Sequence, residues 1–176
     1  AAKDALGFPL LVRPSYVLGG RAMAICFDDE DFHAALEEAL EVSEDHPVLL
    51  DRFLGGAVEY DVDILCDGEE VYVAGIMEHI EEAGIHSGDS ACVIPPVVLS
   101  EQNQAEMVDV ATRAALRLGV IGLMNVQFAV HEDQVYVIEI NPRASRTVPY
   151  VSKSRGVPLA RLATFLCLGQ KLSSLG

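Results

Sequence analysis

The chain has 176 residues and is strongly acidic, with 27 Asp and Glu against 12 Lys and Arg and a formal net charge of −15. Because 51% of its residues are hydrophobic, it can bury a core, which excludes a disordered acidic tail. The acidic field repels nucleic acid and anionic membranes, and no apolar run approaches the roughly 18 residues that a membrane span needs. The four cysteines have no C-x-x-C spacing, which favours reduced thiols. We therefore expect a cytoplasmic protein that binds neither nucleic acid nor membrane.

The apolar periodicity and the turn residues predict an α+β fold with a mainly antiparallel sheet. The predicted strands span residues 9–13, 22–27, 48–53, 58–66 and 70–79, followed later by a strand hairpin over 122–141. The predicted helices span residues 31–42, 101–118 and 159–168. The first residues are typical of the last turn of a helix, so we expect a fragment of a longer polypeptide. The acidic run at 28–31 precedes the first long helix and favours helix capping over a metal cluster.

The predicted hairpin has apolar side chains at even positions and polar side chains at odd ones. The even residues are Val126, Phe128, Val130, Tyr136, Ile138 and Ile140, and the odd ones are Asn125, Gln127, His131, Glu139 and Asn141. Facing residues of an antiparallel hairpin have a constant index sum, so a three-residue loop at 132–134 keeps each set on one face. This register predicts Gln127 opposite Glu139 and Asn125 opposite Asn141. A two-residue loop would instead set Gln127 against Ile138 and mix the faces.

The predicted register creates a patch of one carboxylate and three amides, and Arg143 continues it if the strand stays extended past Pro142. Mg²⁺ prefers such oxygen ligands and completes its octahedron with water and phosphate oxygens. On periodicity alone, a merely solvated face is an equal alternative. The basic residues that follow favour a phosphate site, because guanidinium groups match phosphate oxygens. They are Arg143, Arg146, Lys153 and Arg155, of which the last two are interpreted as solvated charges.

Five ordered segments resemble the ATP-grasp enzymes and, more narrowly, the large chain of carbamoyl phosphate synthase. They are LLVRPSYVLGGRAM, VLLDRFL, GIHSGDSACVIPP, GLMNVQFAV and EINPRASRTVPYVSK. The resemblance covers nearly the whole chain, and YVLGGRAM with RTVPYVSK is similar to the carboxyl-terminal half, which phosphorylates carbamate. It implies a partial ATP-grasp domain, with residues 1–50 as the remainder of a nucleotide-covering subdomain and 51–176 as the subdomain with the metal and phosphate site. Part of the first subdomain is expected to precede Ala1.

The resemblance also implies which residues bind ATP. Arg13 reaches the phosphates, the Gly19-Gly20 turn covers them, the backbone at Arg52 and Leu54 reads the adenine edge, and Glu59 accepts from the ribose hydroxyls. Related sequences often have His at position 52, so Arg52 is a departure that backbone recognition would survive. The loop that closes over the nucleotide contains Gly84, Ile85, His86 and Ser87. The side chain of His86 has even odds of touching the ligand.

For the metal site, the resemblance implies two Mg²⁺ or Mn²⁺ ions, one held by Gln127 and Glu139 and the second by Glu139 and Asn141. Asn125, counted with the catalytic residues, supports this site. Arg143 and Arg146 bind the transferring phosphoryl group and carbamate. Potassium is a further expectation, with Glu59, His79 and Glu81 as contributors.

The implied activity is phosphorylation of carbamate to carbamoyl phosphate by ATP, in arginine and pyrimidine biosynthesis. The implied partners are a glutaminase small chain and the other half of the large chain. Two alternatives stay open: another ATP-grasp ligase, of the biotin-carboxylase or purine-synthesis kind, and a nucleotide-binding half without turnover. The fragment by itself is expected to bind ATP poorly or not at all.

Overall fold

A computed structural model describes residues 2–15, 22–43, 46–83, 85 and 89–175. The chain divides into two compact units, Ala1–Gly55 and Gly56–Gly176. The division expected from the sequence, after residue 50, falls inside a strand of the first unit. Each unit has its own sheet and its own buried core.

The first unit has a three-stranded antiparallel sheet covered by a helix. Its elements are α1 (Ala2–Leu6), β1 (Leu10–Pro14), β2 (Ala24–Cys26), α2 (Asp29–Ser43) and β3 (Val48–Arg52), with strand order β2-β1-β3. The Asp28 carboxylate accepts from the Asp31 amide and the Asp31 carboxylate accepts from the Phe27 amide, each at 3.0 Å. This reciprocal pair satisfies amides at the start of α2, which confirms that the acidic run caps a helix.

The second unit has a five-stranded antiparallel sheet with helices on both faces. Its elements are β4 (Val58–Asp67), β5 (Val71–His79), β6 (Cys92–Val93), α3 (Glu101–Leu118), β7 (Ile121–His131), β8 (Gln134–Asn141), α4 (Val148–Arg155), α5 (Leu159–Cys167) and a 3₁₀ turn (Leu172–Ser174), with strand order β6-β5-β4-β7-β8. The predicted α+β class with a mainly antiparallel sheet and flanking helices is confirmed. Helix α4 was not predicted, because only Val148 and Val151 of its eight residues are buried and Pro149 lies in its first turn.

The two faces of strand β4 pack in two different cores. Its even-numbered residues Tyr60, Val62 and Ile64 belong to a core that includes Met107 and Ala111 of α3. On the other face, Leu65 packs in a second core with residues of α4 and α5. Because side chains alternate along a strand, Asp61 and Asp63 lie on this second face, next to the segment that leads into α4.

The hairpin of β7 and β8 has the predicted polar pairs but a different turn. The loop contains two residues, Glu132 and Asp133, with φ values of +49° and +62°, so His131 pairs with Gln134 and the predicted three-residue loop is wrong. A β-bulge at the Gln127/Phe128 step then accommodates Ile138 as an extra residue of β8. Beyond the bulge, Gln127 lies opposite Glu139 and Asn125 opposite Asn141, which confirms both predicted pairs.

Because of the bulge, Tyr136 lies on a different face of the hairpin from the one that the sequence predicted. Between the turn and the bulge, Ala129 pairs with Tyr136 and Val130 with Val135. Tyr136 therefore lies on the same face of the hairpin as Ala129. It is not on the face of Val130 and does not join the even-numbered apolar set. Val135 instead packs against the core that contains Phe128.

Within the described ranges, no helix is long and apolar enough to cross a membrane. All four cysteines are free thiols, and Cys26 and Cys66 are buried.

Candidate functional site: a buried carboxylate cluster beneath a sheet edge

Two aspartates of β4 lie beside the amides of β7 in the interior of the second unit. Asp61 faces Gln127 and Asp63 faces Asn125 across the strand pair. The Asn125 amide nitrogen donates to Asp61 Oδ1 at 2.9 Å and to Asp63 Oδ1 at 3.1 Å, and Gln127 Nε2 donates to Asp61 Oδ1 at 3.3 Å. Because the nitrogen of Gln127 is held by Asp61, its Oε1 atom is directed elsewhere and can accept or ligate.

A buried histidine completes the cluster on the β5 side. His79 Nε2 lies 2.7 Å from Asp61 Oδ2, and both side chains are 2% exposed. His79 Nδ1 lies 3.5 Å from Glu59 Oε2 and makes no hydrogen bond to any residue that the structure describes. Asp61 is thus contacted from both sides, by β5 through His79 and by β7 through Asn125 and Gln127.

The two aspartates have pKa values displaced in opposite directions. Burial opposes ionisation of Asp61, but hydrogen bonds from His79, Asn125 and Gln127, together with the histidine charge, lower its pKa below the ordinary value. For Asp63, burial outweighs the hydrogen bonds from Thr147, Ser145 and Asn125, and the neighbouring Asp61 adds to this effect, so its pKa is raised. Two adjacent carboxylates are therefore differentiated by their surroundings.

The predicted metal ligands lie at the outer edge of the same sheet. Glu139 and Asn141 are on the edge strand β8, directly across from Gln127 and Asn125. Glu139 is exposed, whereas Gln127 and Asn141 are partly buried. The arrangement brings one carboxylate and two amide side chains to a single accessible edge, with Asn125 buried behind them.

The arginine segment, residues 142–147, contains Arg143 and Arg146 and begins where β8 ends. It turns back toward the sheet. The strand stops at Asn141, so the expectation that Arg143 extends the same strand face is wrong. The Arg143 amide donates to the Asn141 carbonyl oxygen at 2.7 Å, and Arg143 Nη2 donates to Asn141 Oδ1 at 3.0 Å. The turn thus brings the guanidinium group of Arg143 to one of the predicted metal ligands. Arg146, three residues further on, is exposed.

Two hydroxyl groups on either side of Arg146 anchor this segment to the interior. Ser145 Oγ donates to Asp63 Oδ1 at 2.8 Å, and Thr147 Oγ1 donates to Asp63 Oδ2 at 2.5 Å. Asp63 is 1% exposed, so both bonds lie below the surface.

The nucleotide residues expected from the sequence fall in several places. In the first unit, Arg13 forms an ion pair with Asp51 at 3.1 Å, and Arg52 at the end of β3 is exposed while Leu54 is partly buried. In the second unit, Glu59 lies beside His79 and Ile85 is exposed. Outside the described residues lie Gly19, Gly20, Gly84, His86 and Ser87.

The remaining charged residues of the sequence analysis lie at the surface. Of the three residues expected to contribute to a potassium site, Glu81 is exposed, and His79 Nδ1 lies 3.5 Å from Glu59 Oε2. Lys153 and Arg155 are exposed in the last turn of α4, where cations are favoured by the helix dipole.

Sequence reasoning missed the buried half of the site: Asp61, Asp63, Ser145 and Thr147. The signal that could have found the aspartates is the alternation in VEYDVDIL, where Glu59, Asp61 and Asp63 share one parity. Among the described residues, no group of three or more His, Cys, Asp or Glu side chains is arranged to hold a metal ion. The amide-rich edge at Glu139 offers oxygen atoms that suit Mg²⁺ when phosphate oxygens complete the ligand set.

The family model described as the carbamoyl-phosphate synthase L chain, ATP binding domain, matches residues 1–175. The chain belongs to this family. Among curated relatives, the carbamoyl phosphate synthase large chain of Archaeoglobus fulgidus is 60% identical over 171 residues, which cover 97% of this chain and 16% of the relative. The large chain, C-terminal section, of Methanocaldococcus jannaschii is 58% identical over 170 residues, 97% of this chain and 28% of the relative. The chain thus spans well under a third of the length of these relatives.

Solved structures give the fold of this family member. The biotin carboxylase domain of Hydrogenobacter thermophilus 2-oxoglutarate carboxylase, in complex with MgADP, ADP and bicarbonate, matches with a TM-score of 0.77 and 21% identity over 97% of this chain and 39% of that one. Biotin carboxylase from Campylobacter jejuni matches with a TM-score of 0.79 and 18% identity over the same shares. The chain has an ATP-grasp fold, as the sequence predicted.

Proposed function

We propose that the intact protein transfers the γ-phosphoryl group of ATP to carbamate and releases carbamoyl phosphate and ADP. The observation that carries this proposal is the pairing of Gln127 with Glu139 at a sheet edge that Arg143 joins through Asn141. Family membership and the similarity to a C-terminal section of the large chain support the choice of carbamate over bicarbonate.

The metal ligands are Glu139, Gln127 and Asn141, which would hold two Mg²⁺ or Mn²⁺ ions. Ions held there would supply positive charge that neutralises the negative charge developing on the phosphate during transfer. Asp61 holds the Gln127 nitrogen and so presents Oε1 to the ligand side. Asn141 Oδ1 already accepts from Arg143, but a carbonyl oxygen has a second lone pair with which it can ligate.

The arginines perform the remaining part of catalysis. Arg143 and Arg146 bind the transferring phosphoryl group and the carbamate, because their planar groups donate two parallel hydrogen bonds to such oxygens. Attack by the carbamate oxygen in line with the leaving ADP requires alignment more than covalent chemistry from the protein. No nucleophilic side chain is assigned to this reaction.

The residues proposed to bind the nucleotide are those that the family resemblance implies. In the first unit, Arg13 binds phosphates, with the Gly19-Gly20 turn, and the backbone of Arg52 and Leu54 binds adenine. In the second unit, Glu59 binds the ribose. The closing loop contains Gly84, Ile85, His86 and Ser87. Potassium binds near Glu59, His79 and Glu81.

The whole protein works in glutamine-dependent carbamoyl phosphate synthesis for arginine and pyrimidine production. A glutaminase small chain supplies ammonia and the other half of the large chain supplies carbamate, both in the cytoplasm. Family membership supports this assignment, in which the chain is part of one ATP-grasp domain of that assembly.

The experiment that tests the proposal is Glu139→Gln in the intact large chain, assayed by ATP formation from ADP and carbamoyl phosphate. Loss of the carboxylate should lower the rate at least about 100-fold, because metal and phosphate charge would be poorly neutralised. Glu132→Gln is the matched control, since Glu132 is an exposed turn residue of the same hairpin, and it should retain the wild-type rate. A Glu139→Gln rate within threefold of wild type would contradict the proposal.

A further inference from the structure

Asp63 is a buried carboxylate whose partners all lie far away in sequence. It accepts from Asn125 on β7 and from the hydroxyls of Ser145 and Thr147, the residues on either side of Arg146. Both carboxylate oxygens are engaged, and the side chain is 1% exposed. It therefore has no free surface with which to contact a substrate, and any effect it has on chemistry must pass through its partners.

The Thr147 hydroxyl does not form the helix-capping hydrogen bond that its position favours. Thr147 occupies the N-cap position of α4, where a threonine oxygen usually accepts from an amide of the first turn. Here the side chain makes no such bond and donates to Asp63 instead. The helix thus loses a capping hydrogen bond worth about 1 kcal/mol. The bond to Asp63 instead fixes the backbone next to Arg146.

We propose that Asp63 is a positioning residue that fixes Arg146 by clamping Ser145 and Thr147. The inference rests on the proposed function, because that function assigns Arg146 to the phosphoryl group and carbamate. Two hydroxyl bonds to one buried carboxylate, from Ser145 and Thr147, fix the backbone on both sides of Arg146. A displacement of about 1 Å in such a group lowers the rate of transfer about 100-fold, so the clamp sets catalytic rate more than binding of ADP.

The clamp also connects the two halves of the site. Asn125 donates to both Asp61 and Asp63, and Asp61 in turn accepts from Gln127. One buried network therefore orients a predicted metal ligand at one end and the arginine segment at the other. The spacing between the metal ligands and Arg146 is thus set from inside the sheet.

The test compares Thr147→Val, which removes the hydroxyl and keeps the shape, with Thr147→Ser, which keeps the hydroxyl. Both are made in the intact large chain and assayed by ATP formation from ADP and carbamoyl phosphate. Thr147→Val should lower kcat about 10- to 100-fold with KM for ADP within twofold, and Thr147→Ser should stay within threefold of wild type. Ser145→Ala, which removes the other hydroxyl at a less buried position, supplies a second variant and should also lower kcat.

A double-mutant cycle shows whether the effect passes through Arg146. In an Arg146→Ala background, Thr147→Val should change the residual rate by less than twofold, because the group that it positions is gone. Asp63→Asn should reproduce the loss in kcat, and Asp109→Asn, the same change at an exposed position, should have no effect. Additive losses of Thr147→Val and Arg146→Ala, or a Thr147→Val rate within twofold of wild type, would overturn the inference.

The outcome separates this inference from the proposed function. If Glu139→Gln and Arg146→Ala both strongly lower the rate of ATP formation while Thr147→Val does not affect it, only the positioning role of Asp63 fails. If Glu139→Gln and Arg146→Ala both retain the wild-type rate, the proposed function fails.

Discussion

The pKa values of individual carboxylates in this protein depend on the balance between burial and donated hydrogen bonds. At Asp61 the hydrogen bonds, including one from His79, outweigh burial and the pKa is lowered, whereas at Asp63 burial outweighs the hydrogen bonds and the pKa is raised. A third aspartate, Asp67, accepts from the backbone amides of Glu70, Leu172 and Glu69, which lower its pKa to about 2. Asp67 therefore ties the β4–β5 turn to the 3₁₀ turn.

Asp67 should make the attachment of the 3₁₀ turn dependent on pH. Because its folded pKa lies below the ordinary 3.8, the carboxylate stabilises the attachment fully above that value and loses this effect as the pH falls through about 2. In the intact chain, Asp67→Asn should reduce hydrogen-exchange protection of the Leu172 amide at pH 6. This difference from wild type should narrow as the pH falls toward 2. A difference that stays constant or widens would disagree with the assigned pKa.

The residues that the sequence could not provide are those whose partners are distant. The oxygen-rich edge at Gln127 and Glu139 was predictable because both residues lie in one hairpin, whose pairing follows from local alternation. The bonds from Asn125 to Asp61 and from Thr147 to Asp63 join residues 64 and 84 positions apart. Such contacts depend on which strands become neighbours and where a helix packs, and no local pattern encodes this.

At the level of elements, the hairpin of β7 and β8 reaches the predicted pairing by another route. The turn uses two residues with positive φ, a geometry that matches the twist of antiparallel strands, and the bulge at Ile138 absorbs the remaining residue. Parity alone could not distinguish a longer loop from a shorter loop with a bulge, because both restore the same pairs. The polar edge is therefore compatible with either turn, and the face of Tyr136 is what distinguishes them.

The packing of α5 on β7 depends on a glycine. Gly122 has φ of +106°, and a Cβ atom there would lie 3.2 Å from Cys167 Sγ, whereas Gly119 has φ of +63° with nothing within 4 Å. Gly122→Ala should lower the opening free energy of β7 and α5 by about 2–3 kcal/mol, against about 1 kcal/mol for Gly119→Ala. Native-state hydrogen exchange of the intact chain measures both. Equal effects would mean that the contact with Cys167 adds nothing to the backbone strain.

At the scale of the whole molecule, the proposed phosphate site combines locally clustered arginines with a chain whose net charge is −15. The arginines follow the last strand of the sheet, close to the proposed metal ligands, and charges within a Debye length of about 8 Å dominate over the distant acidic surface. The fold and family could be predicted because five ordered motifs extend along the chain. The buried network beneath the edge could not, since it is assembled from four separate segments.

We propose that the edge at Glu139 serves phosphorylation of carbamate. The most direct measurement compares two partial reactions in one preparation of the intact Glu139→Gln large chain: ATP formation from ADP and carbamoyl phosphate, and bicarbonate-dependent ATP hydrolysis. We expect ATP formation to fall at least about 100-fold while bicarbonate-dependent ATP hydrolysis stays within threefold of wild type. Retained ATP formation with lost bicarbonate-dependent hydrolysis would contradict it.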